Sequence, residues 1–257
     1  MAWRAFPYPS AGFDYTAARL KRAWAGLHAG DAEPWPHSGA LVAAWIDFHA
    51  GRFEQAARAG LAFGLDGYAV ANKATCMQAV YLDARQADKV ARLREVAARC
   101  ERQQGEQAAS AAAFYWHAYA LGRLAQEISV LEALAGGVAG KVRASLETTL
   151  RLAPQHADAH IALGVYHAEI IDKVGALVAG LTYGAKQETA LRHFRQALVL
   201  NPGSAIARVE YARALVMLGG RARAAEAQAL RDEAAASTPH DAMERLDIER
   251  ARQEASA

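Results

Sequence analysis

Cysteine is nearly missing from the 257 residues: Cys76 and Cys100 stand 24 positions apart, with no metal-ligand spacing around them. Two such thiols are too few for a scaffold stapled by several disulfides or a cysteine-rich zinc module, and both are expected as small buried apolar residues, the alternative being a single disulfide or a reactive thiol. Proline is scarce as well, at seven residues, so each one is informative about where a helix starts or stops. An excess of one charge is also lacking. The formal net charge is +2, with Arg interspersed among Asp and Glu, which argues for solvated helix faces and against a nucleic-acid or anionic-membrane partner. The longest uncharged stretch, residues 107–122, contains Gln, Ser and His and falls short of the ~20 apolar residues that a membrane span needs. The first residues, through Pro7 and Pro9, hold no unbroken apolar segment and no lipidation cysteine, so no secretion signal is read and a soluble cytoplasmic protein is expected. Clusters of β-branched residues are rare, and no strand is expected.

What fills the chain instead is Ala, with Leu, Arg, Glu and Gln, at a composition 53% hydrophobic and 22% charged. That mixture buries one substantial core or one continuous stack of helical repeats, expected as a single domain over 1–257. A first helix is expected from an Asp14 N-cap through Leu20, Trp24 and Leu27, closed by Gly30 and the Glu33, Pro34, Trp35, Pro36 segment. Residues 36–105 read as divergent hairpins. One begins near Ser38 and places Gly51-x-Phe53-x2-Ala56 between its helices, with Gly67 as its terminal cap. The next, over 68–82 and 87–103, keeps helical periodicity but matches the repeat pattern poorly.

The pattern is clearest over 106–236. His160-x2-Leu163-Gly164-x2-His167 followed by Ala190-x3-Phe194-x2-Ala197-x4-Pro202 has the form of a tetratricopeptide hairpin: small residues let two helices approach, large ones fill the gap, and proline stops the second. The endings Leu150-x-Leu152-Ala153-Pro154 and Leu198-x-Leu200-Asn201-Pro202 lie 48 residues apart, longer than the roughly 34-residue simple repeat. The excess falls between Gly164 and Ala190. The first helix is therefore expected to run on to about Val178, with a bend at 180–184. A similar extension holds Gly136, Gly137 and Gly140. A last hairpin carries Tyr211, Ala212, Gly219 and Ala224, and 238–257 is expected as a terminal capping helix started by Thr238 and Pro239.

Residues 111–235 resemble the tetratricopeptide-like region shared by the regulator of microtubule dynamics family and the T component of TRAP transporters. The matching features are Tyr115-Trp116 leading into a long helix, the endings at Pro154 and Pro202, the Leu163-Gly164 contact, and Tyr183-Gly184 before Ala190-Leu191-x2-Phe194. The resemblance implies an all-α stack of antiparallel helical hairpins, an α-solenoid with elongated inserted helices and a binding surface rather than catalysis. It also implies that defined positions of each first helix line a groove. In this sequence those are Leu41, Trp45, Phe48 and His49; then Tyr119, Arg123, Gln126 and Glu127; then Ile161, Val165 and Glu169; and finally Val209, Arg213 and Met217. Apolar anchors and two carboxylate-binding arginines, Arg123 and Arg213, make this a mixed groove.

Candidate chemistry is thin. His156, His160 and His167 lie near one helical face, yet seven residues span ~10.5 Å of axis, and no metal-binding motif accompanies them. Gly136, Gly137, Gly140 and Lys141 fail as a phosphate loop, because Ala135 stands where glycine is needed and Val142 where Ser or Thr is needed. Glu169 and Lys173 are placed for a helical ion pair. No nucleophile has a recognisable setting. No catalytic residue, metal or cofactor is therefore assigned. The expectation is a non-enzymatic scaffold holding a protein or peptide in its groove. The alternatives are a small-molecule or lipid carrier, its tunnel lined by Val174, Leu177, Val178 and Leu181, and, less favoured, a metalloenzyme using His156 or His160. Ala-rich faces such as residues 222–235 also permit self-association.

Overall fold

The computed structural model describes residues 1–129, 132–133 and 136–256. Among them the regular structure is entirely helical, with no strand. The helices are α1 (Ala17–Leu27), α2 (Gly39–His49), α3 (Phe53–Ala62), α4 (Tyr68–Met77), α5 (Gln86–Glu106), α6 (Ala111–Glu127) and α7 (Val138–Leu152). They are followed by α8 (Ala157–Val174), α9 (Ala176–Tyr183), α10 (Gln187–Leu200), α11 (Ala205–Gly219), α12 (Ala224–Ala235) and α13 (Ala242–Ala255).

Local sequence explains most boundaries. Ser38, Ser110 and Ser204 cap α2, α6 and α11, each hydroxyl accepting from the backbone N–H three residues on, which satisfies a donor that has no partner within the helix. For α1 the cap is Thr16, whose Oγ1 accepts from Arg19 N at 3.2 Å, and not Asp14. Asp14 sits two residues too early; its carbonyl instead accepts from the Arg19 side chain. Pro154 and Pro202 each follow a helix end by two residues, at Leu152 and Leu200. The terminal helix begins at Ala242, directly after Asp241, and so later than the expected Thr238–Pro239 start.

The long insertion also divides differently. The first helix of that hairpin, α8, stops at Val174 rather than running to Val178, because Gly175 takes a φ of 78° that other residues rarely adopt. A separate short helix, α9, then runs to Tyr183, and Gly184, at φ 63°, turns the chain. Of the extension between α6 and α7, Ala135 lies outside the described residues; Gly137, at φ 61°, precedes α7.

The chain forms two compact units. The first comprises residues 1–28, 33–153 and 240–243; within it neighbouring helices α2 to α7 pack in succession, and α4 also touches α2 and α6. The second comprises residues 29–32, 154–239 and 244–257; within it α8 packs on α9, α10 and α11, and α11 on α10 and α12. The second unit's core gathers Ile161, Leu191, Phe194, Tyr211 and Leu215 with Ala168, Ala197, Ala207, Ala212, Ala214 and Ala227. Gly164 is required there: a Cβ at this position would lie 2.7 Å from the Phe194 ring. Phe194 in turn stacks on Tyr211, centroids 5.0 Å apart. Ile248 and Ala251 of α13 cover Ala205 and Val209.

Candidate functional site

The positions assigned to a groove separate into an interior set and a surface set. Leu41, Trp45, Phe48 and His49 are buried in the first unit. They are drawn inward by an aromatic cluster: the Trp45 ring meets Trp24 edge-on at 5.5 Å and Phe48 at 5.5 Å. The Lys73 ammonium lies 5.1 Å from the Phe48 ring centre and 5.7 Å from that of Trp45. His49 Nδ1 lies 2.7 Å from Asp241 Oδ2, with both side chains fully enclosed. Burying a charge requires such a partner.

Ile161 and Val209 are likewise core residues of the second unit, and Val165 packs partly buried against the same cluster as Ile161. Glu169 lies 3.8 Å from Lys173 Nζ, the expected pair four residues apart. Arg213 is occupied within the chain: its guanidinium bonds Glu254 and, at 3.2 Å, Glu210. A guanidinium so engaged has little left for a ligand carboxylate. Met217 is exposed.

Tyr119, Arg123, Gln126 and Glu127 behave differently. They lie together on the C-terminal half of α6, with Gln126 exposed and Tyr119, Arg123 and Glu127 half-buried. Tyr119 lies edge-on to Trp116, centroids 5.3 Å apart, which fixes its ring from below. Arg123 sits over that ring at 5.4 Å and donates to Gln126 Oε1 at 3.3 Å. Glu127 accepts from Lys89 at 3.3 Å, and its carbonyl accepts from Gln86. The patch thus joins an aromatic face, a cation and a carboxylate, the combination suited to anchoring a peptide side chain and orienting its polar groups. Gln86 and Lys89 come from α5. Nothing in their own sequence setting marks them, because the link to Glu127 is made by folding and not by spacing.

The histidines take up structural roles. His156 Nδ1 accepts from Ala159 N and so caps α8. His160 instead meets His193 of α10, Nδ1 to Nδ1 at 2.8 Å, and His167 stacks on the same ring at 6.0 Å. Burial pushes His160 below its ordinary value; burial and the neighbouring His160, His167 and Arg192 push His193 down to about 4. A neutral pair shares one hydrogen bond without repulsion. Among the described residues no group of three or more His, Cys, Asp or Glu is arranged to hold a metal ion. Cys76 and Cys100 are buried free thiols, and burial pushes Cys100 up to about 12, far from a reactive thiolate.

The four residues assigned to a tunnel point the other way. Val174 ends α8 and is exposed, and Leu177, Val178 and Leu181 of α9 lie within a ~100° arc, at 100° per residue, that faces outward: Leu177 is 76% and Leu181 81% exposed. Only Ala179, on the opposite side of α9, is buried. No described helix is long and apolar enough to cross a membrane. No family model and no curated protein matches the chain.

Proposed function

We propose that this chain is a non-enzymatic cytoplasmic scaffold, a tetratricopeptide-like stack of helical hairpins that holds a peptide or protein partner at the α6 patch. The observation that carries the reading is the order of packing. In a tetratricopeptide stack each first helix touches both its own partner and the first helix of the next hairpin. That order recurs here: α2 touches α3 and α4, α4 touches α5 and α6, and α8 touches α10 and α11. The Gly164–Phe194 approach supplies the small-against-large contact of the same motif.

Within this frame Tyr119 gives a ligand side chain an apolar wall, while Arg123 and Glu127 set its orientation. Arg123→Glu and Tyr119→Ala alter half-buried groups, of which Tyr119 also packs against the buried Trp116. In a pull-down from cell extract each variant is expected to lose the partners retained by the unaltered chain while still unfolding in one cooperative transition on heating. Retention of every partner by both variants would overturn the assignment of this surface.

A further inference from the structure

Residues 2–9 form no regular element, yet they are seated on the first unit at defined points. Trp3, Phe6 and Tyr8 turn inward and are half-buried, while Ala2, Arg4, Ala5, Pro7 and Pro9 are exposed. The prolines restrict their own φ and bias the residue before each, Phe6 and Tyr8, toward extended backbone. This is how an extended peptide docks, with separated anchors facing the receptor.

The surface beneath is built to receive it. Arg92 of α5 is buried, and its Nε donates to Asp83 Oδ2 at 2.9 Å; Asp83 Oδ1 in turn accepts from Gln78 Nε2 at 2.7 Å. Held in this way, the guanidinium donates through Nη2 to the Ala2 carbonyl at 2.9 Å and lies 4.3 Å from the centre of the Trp3 ring. It therefore reads one main-chain carbonyl and one aromatic face together. The second anchor point is a slot. A Cβ on residue 51 would fall 2.7 Å from Phe6 Cγ, and Gly51 also has a φ of 80°, so only glycine leaves room for this ring. Phe53 closes the slot edge-on, ring centres 6.2 Å apart.

We infer that the surface formed by Gly51, Phe53, Asp83 and Arg92 is a docking site for an extended segment with an aromatic residue three positions before an aromatic-proline pair, and that the chain's own residues 2–9 occupy it. A tethered segment competes at an effective concentration in the millimolar range. An outside peptide of the same chemistry therefore binds only when the arm is displaced. The inference rests on reading the chain as a peptide-holding scaffold, but it concerns another surface, and its test does not involve Tyr119 or Arg123.

The experiment uses the full chain and a fluorescent peptide with the sequence of residues 2–10, followed by anisotropy. A chain carrying both Trp3→Ala and Phe6→Ala is expected to bind the peptide at least tenfold more tightly than the unaltered chain, and a peptide with the same two replacements is expected not to bind. Equal affinity of both chains, or no binding to the double variant at about 1 mM peptide, where the tethered arm would compete, would overturn the inference. A second measurement requires no variant. Trypsin is expected to cut the unaltered chain after the exposed Arg4 well before any core site, and the supplied peptide to accelerate that cut. Cleavage at Arg4 only as fast as global unfolding would show that the arm is part of the core and would overturn the docking site.

Discussion

The two units solve the problem of a helical interior differently. In the second unit the main core cluster is Ala, Leu, Ile, Phe and Tyr, with small residues set against large ones, although His156, His167 and Glu210 are buried there as well. In the first, α4 is buried along nearly its whole length and carries Asn72, Lys73 and Thr75 inward, continued by Gln78. These polar groups are tied into networks: Arg99 donates to Asn72 at 2.8 Å, and Thr75 to the Ala71 carbonyl at 2.7 Å. An apolar interior responds to a change of volume by repacking, at a cost set by how far its neighbours can move. In a polar one a lost partner strands a buried donor or charge.

The contrast is sharpest at the His49–Asp241 pair. Asp241→Ala is expected to destabilise the chain by about 3–5 kcal/mol, because it leaves a buried imidazole without its carboxylate; denaturant unfolding measures this. A loss well under about 1 kcal/mol, the level of an exposed ion pair, would mean that the enclosed pair is dispensable. In the second unit Gly164→Ala is expected to cost about 1–3 kcal/mol by overpacking against Phe194. A chain with Phe194→Leu in addition should recover part of that loss, since the obstructing ring is gone. Absence of recovery would show that the two positions do not share one contact.

Each unit holds a histidine that burial keeps below its ordinary value, His117 in the first and His193 in the second. His193 has a folded-state value of about 4, below its ordinary one, so the unfolded chain takes up the proton first as pH falls. The stability contributed by the neutral ring is complete above about pH 6.5 and is lost between there and about pH 4. The melting temperature should therefore fall over this window, and less steeply for His193→Gln. An unchanged slope would remove the His160–His193 contact as a cause. The smallest effect belongs to Leu177→Ser and Leu181→Ser, each expected within about 0.5 kcal/mol because neither side chain enters the interior.

Much of the second unit was legible from sequence. Gly164 and Phe194 announce a close helix crossing, Pro154 and Pro202 mark helix ends, and the excess residues before Ala190 mark an insertion. The first unit was harder for a physical reason. Periodicity detects apolar stripes, and α4 places polar side chains at positions where a stripe is sought, so the 68–82 and 87–103 pair reads as degenerate although its helices lie close to those limits. The groove register marked first-helix positions without separating the ones that packing consumes. Trp45, His49, Ile161 and Val209 are enclosed, whereas Tyr119 and Arg123 are only half-buried. The role of Arg213 was hidden for a related reason. Glu254, which engages it, is 41 residues away in the chain.

The column formed by Gly164, the Phe194 ring and the Tyr211 ring links α8, α10 and α11 in a nearly parallel stack, the two rings inclined by only 6°. The Phe194 ring thereby fills the space between the backbone of α8 at Gly164 and the Tyr211 ring of α11. The added segment with α9 leaves and rejoins the chain between Gly164 and Phe194 without entering this spacer. The buried side chain of α9, Ala179, is accordingly no member of the core cluster to which the two rings belong, so the insertion adds length to the hairpin outside the contact that holds it together.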